Sequence, residues 1–135
     1  MMIGGCYCGE LRYLAKGEPI VKAQCHCREC QTVGGGGPSL FMVMPLDGFS
    51  YTKGTPKSFT RSDLDSPVTR EFCGNCGTHI LAKRRELVGV VIKIGTLDDP
   101  AVFEQAQVAI FTKDKQAFHL IPDGIPTFEE RPPGR

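Results

Sequence analysis

The chain has 135 residues, enough for one domain of common size, and at 41% hydrophobic it can bury a core of its own. Its 16 basic and 15 acidic residues nearly cancel, leaving +1, so charge gives no argument for nucleic acid or an anionic membrane as partner. No apolar run approaches the ~18 residues of a bilayer span, and MMIGGC has no basic segment followed by an apolar one, so a cytoplasmic protein is expected.

Short apolar stretches, punctuated by Gly, Pro, Asp and Ser, predict strands in chain order. The first are ELRYLA (Glu10 to Ala15), PIVKA (Pro19 to Ala23), LFMVM (Leu40 to Met44) and FSYT (Phe49 to Thr52). SFTR (Ser58 to Arg61), TREFC (Thr69 to Cys73) and HILAK (His79 to Lys83) follow. LVGVVIKIG (Leu87 to Gly95), QVAIFT (Gln107 to Thr112) and FHLI (Phe118 to Ile121) complete the set. No stretch sustains helical periodicity over ~11 residues, although a single helical turn fits after Cys27. The prediction is a mainly β fold, a small sandwich or open barrel of short strands. The proline-rich residues from Asp123 onward predict an extended tail. No linker or repeat divides the chain, so residues 1–135 are expected to form a single domain.

The cysteines carry the chemistry. Seven is odd, which rules out a full set of internal disulfides, and the spacings are too tight for loop staples. C-x-C at Cys6 and Cys8, C-x-C-x-x-C at Cys25, Cys27 and Cys30, and C-x-x-C at Cys73 and Cys76 suit a soft metal. The set divides into four and three. CGNCG is a zinc-knuckle sequence, and GGCYCG offers the partner pair, so Cys6, Cys8, Cys73 and Cys76 are expected to close a structural tetrahedral site. Cys25, Cys27 and Cys30 then lack a fourth cysteine. Three protein ligands plus an exchangeable position is the pattern of a catalytic zinc, open to water or a substrate thiol. Two other readings stand beside it. His26 or His79 could close the site, or the trio could be redox thiols without metal. His26 lies between two ligands and should point away, while His79 should pack or hydrogen-bond behind the knuckle. The run Gly34 to Gly37 could let a substrate backbone approach, or could be a flexible loop.

These motifs resemble the glutathione-dependent formaldehyde-activating family, which includes the centromere protein V relatives. GGCYCGELRY, CHCREC, REFCGNCGTHI, IKIGTLDDP and IPDGIPTFEERP match its motifs in order over nearly the whole chain. The resemblance implies a zinc-stabilised two-sheet β fold, the β-tent, similar to methionine sulfoxide reductase B. It implies two zinc ions per chain, one structural on Cys6, Cys8, Cys73 and Cys76, and one catalytic on Cys25, Cys27 and Cys30. It implies formation of S-hydroxymethylglutathione from glutathione and formaldehyde, formally a carbon–sulfur lyase. Gln31, Ala109 and Phe118 depart from residues common in the family, an arginine, a histidine and a tryptophan. These departures leave both metal sites intact and are expected to alter the pocket wall.

The expected partners are therefore a small-molecule thiol, glutathione or similar, and an aldehyde. A donor must stabilise the developing alkoxide, and Arg28 or a glycine-loop N–H is the sequence's candidate. Two rivals remain. One is a non-catalytic zinc-stabilised binding module, using the basic run Lys83, Arg84 and Arg85. The other is a thiol-redox enzyme whose activity would survive metal removal.

Overall fold

The computed structural model describes residues 1–133, and they form ten strands, one α-helix and short 3-10 turns. The strands are β1 (Met2–Gly5), β2 (Arg12–Ala15), β3 (Val21–Cys25), β4 (Ser39–Pro45) and β5 (Phe49–Lys53). They continue as β6 (Lys57–Thr60), β7 (Thr69–Phe72), β8 (His79–Lys83), β9 (Gly89–Lys93) and β10 (Val108–Ile110). The helix α1 spans Arg28–Gly34. The mainly β expectation holds, and the strands fall into two sheets. A three-stranded sheet runs β1-β2-β5, and a seven-stranded sheet runs β10-β3-β4-β9-β8-β7-β6. All neighbours are antiparallel except β10, which pairs parallel with β3.

Strand β4 shows why the sheets pack as they do. Phe41, Met42, Val43 and Met44 are all buried, so this central strand is covered on both faces. Side chains alternate across a strand, and they separate accordingly. Met42 and Met44 join Ile80, Val90 and Ile92 against Leu11, Tyr13 and Ala15 of the small-sheet region. This is the main core. Phe41 and Val43 go to the opposite face with Ala23 and Cys25. Inside the main core the Tyr13 hydroxyl meets Thr96 Oγ1 at 2.8 Å, so the one buried phenol there has its partner.

Several elements differ from the sequence expectation. Met2–Gly5 is a strand, hidden in the sequence by its two glycines. A Cβ on Gly4 would stand 2.3 Å from Thr96 O and 2.5 Å from the Tyr13 hydroxyl, so glycine is what lets β1 lie this close. Phe118 to Ile121 is not a strand. Phe118 and Leu120 are exposed while His119 between them is buried, but the segment has no ladder partner. The tail from Asp123 is not the extended segment expected: it turns at Gly124, with φ +82°, bends again after Thr127, and is docked rather than free. Ala109 N–H donates to Pro126 O at 3.0 Å and Phe128 N–H donates to Ala109 O at 3.0 Å, covering the outer edge of β10. The helical turn after Cys27 grows to seven residues.

Candidate metal centres and cavity

The tertiary structure gathers the cysteines into the two groups their spacing suggested. Cys6 and Cys8 lie in the turn between β1 and β2, and Cys73 and Cys76 in the turn between β7 and β8. All four sulfurs lie within 4.8 Å of one another. Cys6 to Cys8 is 3.6 Å and Cys8 to Cys73 is 3.7 Å. A tetrahedral zinc with sulfur at about 2.3 Å has sulfur–sulfur edges of about 3.8 Å, so the donor set fits that ion. Backbone amides aim at the sulfurs, with Leu11 N–H at 3.2 Å from Cys6 Sγ and Asn75 N–H at 3.4 Å from Cys73 Sγ. Gly77 has φ +80°, which turns the chain so that the knuckle can close. The Thr78 hydroxyl, 3.2 Å away, is the largest influence pulling the Cys76 thiol down to about 5.

The second group comes from the end of β3 and the start of α1. The sulfurs of Cys25, Cys27 and Cys30 also lie within 4.8 Å of one another, with Cys27 and Cys30 at 3.1 Å. Cys27 is the N-cap of α1, and its sulfur accepts from Cys30 N–H at 3.3 Å. Hydrogen bonding with the Cys25 and then the Cys30 sulfur holds the Cys27 thiol down to about 2. Cys25 is pushed up, because it donates to Cys27 and Cys30 and is buried. The bond from Cys25 lowers Cys30, but its own bond to Cys27 and its burial outweigh that and push it up to about 11. The three sulfurs thus compete for protons at close range, and a soft cation would take all three as thiolates, the behaviour of a metal-ligand set.

Among the described residues, neither histidine next to these groups closes a cluster. His26 points away, fully buried, and meets His119 Nδ1 at 3.1 Å and Gln24 Nε2 at 2.9 Å. His79 packs on Phe72 with ring centroids 5.3 Å apart.

The trio lines a cavity of about 450 Å³; the four-cysteine group does not. The cavity floor is the second face of the large sheet. Val21 and Ala23 come from β3, Phe41 and Val43 from β4, Val91 from β9, and Val108 and Ile110 from β10. Seven cationic side chains line it against two carboxylates, Glu29 and Asp114. Lys93 stands among them, its Nζ donating to Ser39 Oγ at 2.6 Å. Burial holds its ammonium below the ordinary lysine value, while the cysteines pull the other way. Arg70 pairs with Glu29 at 3.5 Å, and its Nε is buried without a hydrogen-bond partner.

Several sequence expectations change here. Arg28 lines the cavity, but its guanidinium donates to Gln31 Oε1. None of Gly34 to Gly37 lines the cavity; Gly36 O instead accepts from His119 Nε2 at 2.8 Å. Gln31, Ala109 and Phe118 do not form its wall. Gln31 is buried and ties His26 O to Asp114 O, Ala109 faces the other side of β10, and Phe118 is exposed. Lys83 and Arg84 of the basic run face the cavity instead, paired with Glu71 at 3.0 Å and Glu86 at 3.9 Å. Lys93 was missed. Its signal in VVIKIG is a charge two residues beyond Val91, on the same face of an otherwise apolar strand.

The sequence profile of a family described as glutathione-dependent formaldehyde-activating enzyme matches residues 1–114. A comparison with curated proteins finds no relative. A crystal structure of a Rhodobacter sphaeroides protein is similar over 94% of this chain and 99% of its own, with a TM-score of 0.61 and 15% identity. At that identity the likeness concerns the fold alone.

Proposed function

The chain belongs to the glutathione-dependent formaldehyde-activating enzyme family, and from that premise we propose that it is a zinc-dependent carbon–sulfur lyase acting on a thiol–aldehyde adduct. The observation that carries this reading is the placement of the three-cysteine group at a cation-lined cavity, with the four-cysteine group outside it. Cys6, Cys8, Cys73 and Cys76 would hold a structural zinc, and Cys25, Cys27 and Cys30 a catalytic one. Zinc on the trio would supply a position where an incoming thiol is held as thiolate. The thiol is glutathione or a related anionic thiol, and formaldehyde or a larger aldehyde is its partner.

The chain's own groups then have definite tasks. The cationic wall attracts an anionic thiol and fixes its orientation, which converts the encounter into a reaction between neighbours. As sulfur bonds to the carbonyl carbon, the π pair moves to oxygen. Lys93 Nζ is the donor we assign to that oxygen, in place of Arg28, which Gln31 already engages. The thiol proton ends on the new hydroxyl, and the reverse step returns thiol and aldehyde. No electrons change hands.

A test separates the two clusters. Cys27→Ser is expected to lower turnover at least ~100-fold with a modest loss of stability. Cys73→Ser is expected to cost folding itself, since structural zinc contributes ~10–16 kcal/mol in small peptides, about a whole domain's stability. Turnover and chemical denaturation of both variants check this. If both merely unfold, the catalytic assignment is lost. One observation favours a second reading: Cys27 and Cys30, at 3.1 Å, form a C-x-x-C at a helix start with Cys27 strongly acidic. A thiol-redox enzyme would keep its activity in chelator, whereas the lyase would lose it.

A further inference from the structure

The second face of the seven-stranded sheet is apolar and forms the cavity floor: Ala23 and Val43 are buried there, while Val21, Val91 and Val108 are only half-buried. Val21, Ala23, Val43, Val91 and Val108 stand on that face, and loops carrying Leu64, Val68 and Leu87 rise around them. The half-buried members, Val21, Val91 and Val108, leave apolar surface toward the cavity, which costs ~25 cal/mol per Å² unless something apolar sits on it. A one-carbon carbonyl does not cover it. Such a molecule is scarcely larger than a water, about 30 Å³, against a cavity of about 450 Å³. Glutathione is polar along its length and does not supply the missing surface.

Lys93 shares the face with Val91, and the other cations that line the cavity come from other elements. Arg84 and Arg131 both line the cavity, and burial, then the neighbouring Arg131, hold the Arg84 guanidinium below its ordinary value. Among the described residues Arg84 makes only a long contact of 3.9 Å to Glu86, and Arg70, which pairs with Glu29 at 3.5 Å, has no hydrogen-bond partner at its Nε. Like charges facing one space, with donors left over, fit an anionic group between them.

We infer that the carbonyl half of the adduct handled here carries an apolar body of several carbons, seated on Val21, Ala23, Val43, Val91 and Val108, while an anionic group of the thiol half lies at Arg84, Arg131 and Arg70. The inference rests on the lyase reading of the same cysteines and names its substrate class. The adduct's central carbon bears sulfur, a hydroxyl and the apolar chain. Cleavage breaks the carbon–sulfur bond, returns the hydroxyl proton to the thiol and leaves a medium-chain or aromatic aldehyde.

S-alkylglutathiones have the adduct's skeleton without its hydroxyl and have no free thiol, so they report the seat without turnover. Calorimetric titration of the zinc-loaded protein with the series from S-methyl- to S-hexylglutathione is expected to show affinity rising about two- to fourfold per methylene. Leu87→Ser and Val21→Thr, one at the rim and one nearly isosteric, should flatten that rise. Arg84→Gln should weaken every member by a similar factor and leave the rise intact. A flat series from a protein that turns over glutathione and formaldehyde overturns the inference and leaves the lyase standing. A rise that both wall variants leave unchanged also overturns it, because the seat is then elsewhere. A rise lost in the wall variants, with no turnover of any aldehyde from formaldehyde to hexanal, supports the apolar seat and sinks the lyase reading. No binding by any member overturns the inference.

Discussion

His26 sits between two of the candidate ligands, yet its work lies behind them. His119 Nε2–H donates to Gly36 O at 2.8 Å, and its Nδ1 accepts from Gln116 N–H at 3.2 Å. That leaves His26 Nδ1 as the donor to His119 Nδ1, and Gln24 Nε2 as the donor to His26 Nε2. In these roles the His26 ring is satisfied only when neutral. Burial first, and then His119 and Lys115, lower the His26 pKa below 6.5. The unfolded chain therefore takes up a proton at higher pH than the folded one. Stability from this residue is full above about 6.5 and declines as pH falls below that value. Thermal melts between pH 7.5 and 5 should show this slope in the wild type and a shallower one in His26→Asn. Lys93 offers a second residue-scale prediction. Lys93→Met should lower turnover roughly 100-fold or more while leaving the fold intact, because it removes a donor and a cation that burial disfavours. Equal turnover in that variant would remove Lys93 from the mechanism.

At the scale of elements, β1 and the tail carry constraints that the strand pattern did not convey. β1 pairs with β2 from Met2↔Ala15 to Gly5↔Arg12, and this hairpin presents Cys6 and Cys8 to the knuckle. Gly4→Ala should destabilise by about 1–3 kcal/mol, since the new methyl meets Thr96 backbone and the Tyr13 ring. Urea denaturation of the metal-loaded protein measures it, and an unchanged midpoint would mean that β1 can shift at no cost. β3, β4 and β9 were legible as apolar strands, but which face would meet the main core and which the cavity was not. FHLI read as a strand, yet its buried member is a histidine held by Gly36 O, Gln116 N–H and the His26 ring rather than by a ladder. Pattern reports which side chains turn inward; it does not report whether a neighbouring strand exists to pair with.

For the whole molecule, the two cysteine groups that could each hold a metal ion differ in reach. The first joins the N-terminal hairpin to the β7–β8 turn, and the second joins β3 to α1 at the cavity. About two zinc ions per chain are expected by elemental analysis of protein purified without chelator, and about one would mean an empty or labile trio. The trio's affinity should climb about 100-fold per pH unit near neutrality, because Cys25, raised by its hydrogen bonds, and Cys30, pushed up to about 11, must both release protons on binding. Competition against a zinc chelator at several pH values reads the slope. A slope near zero would mean that the thiols are already ionised. No helix among the described residues is long and apolar enough to cross a membrane.

The sequence by itself determined the division of the cysteines and the mainly β character. Both are local properties: chelate spacing is set by two or three bonds of backbone, and strand alternation by the geometry of each residue. It could not determine what stands around the trio. Lys93, Arg70, Arg84 and Arg131 come from three strand regions and the tail, and no spacing rule relates them. Their convergence depends on strand order, on β10 pairing parallel with β3, and on the tail folding back along β10. The same holds for the floor. Val21, Val43, Val91 and Val108 read as core residues in the sequence, and they are apolar for the reason core residues are. Only the stacking of the sheets decided that one apolar face would meet the small sheet and the other would be left facing a cavity.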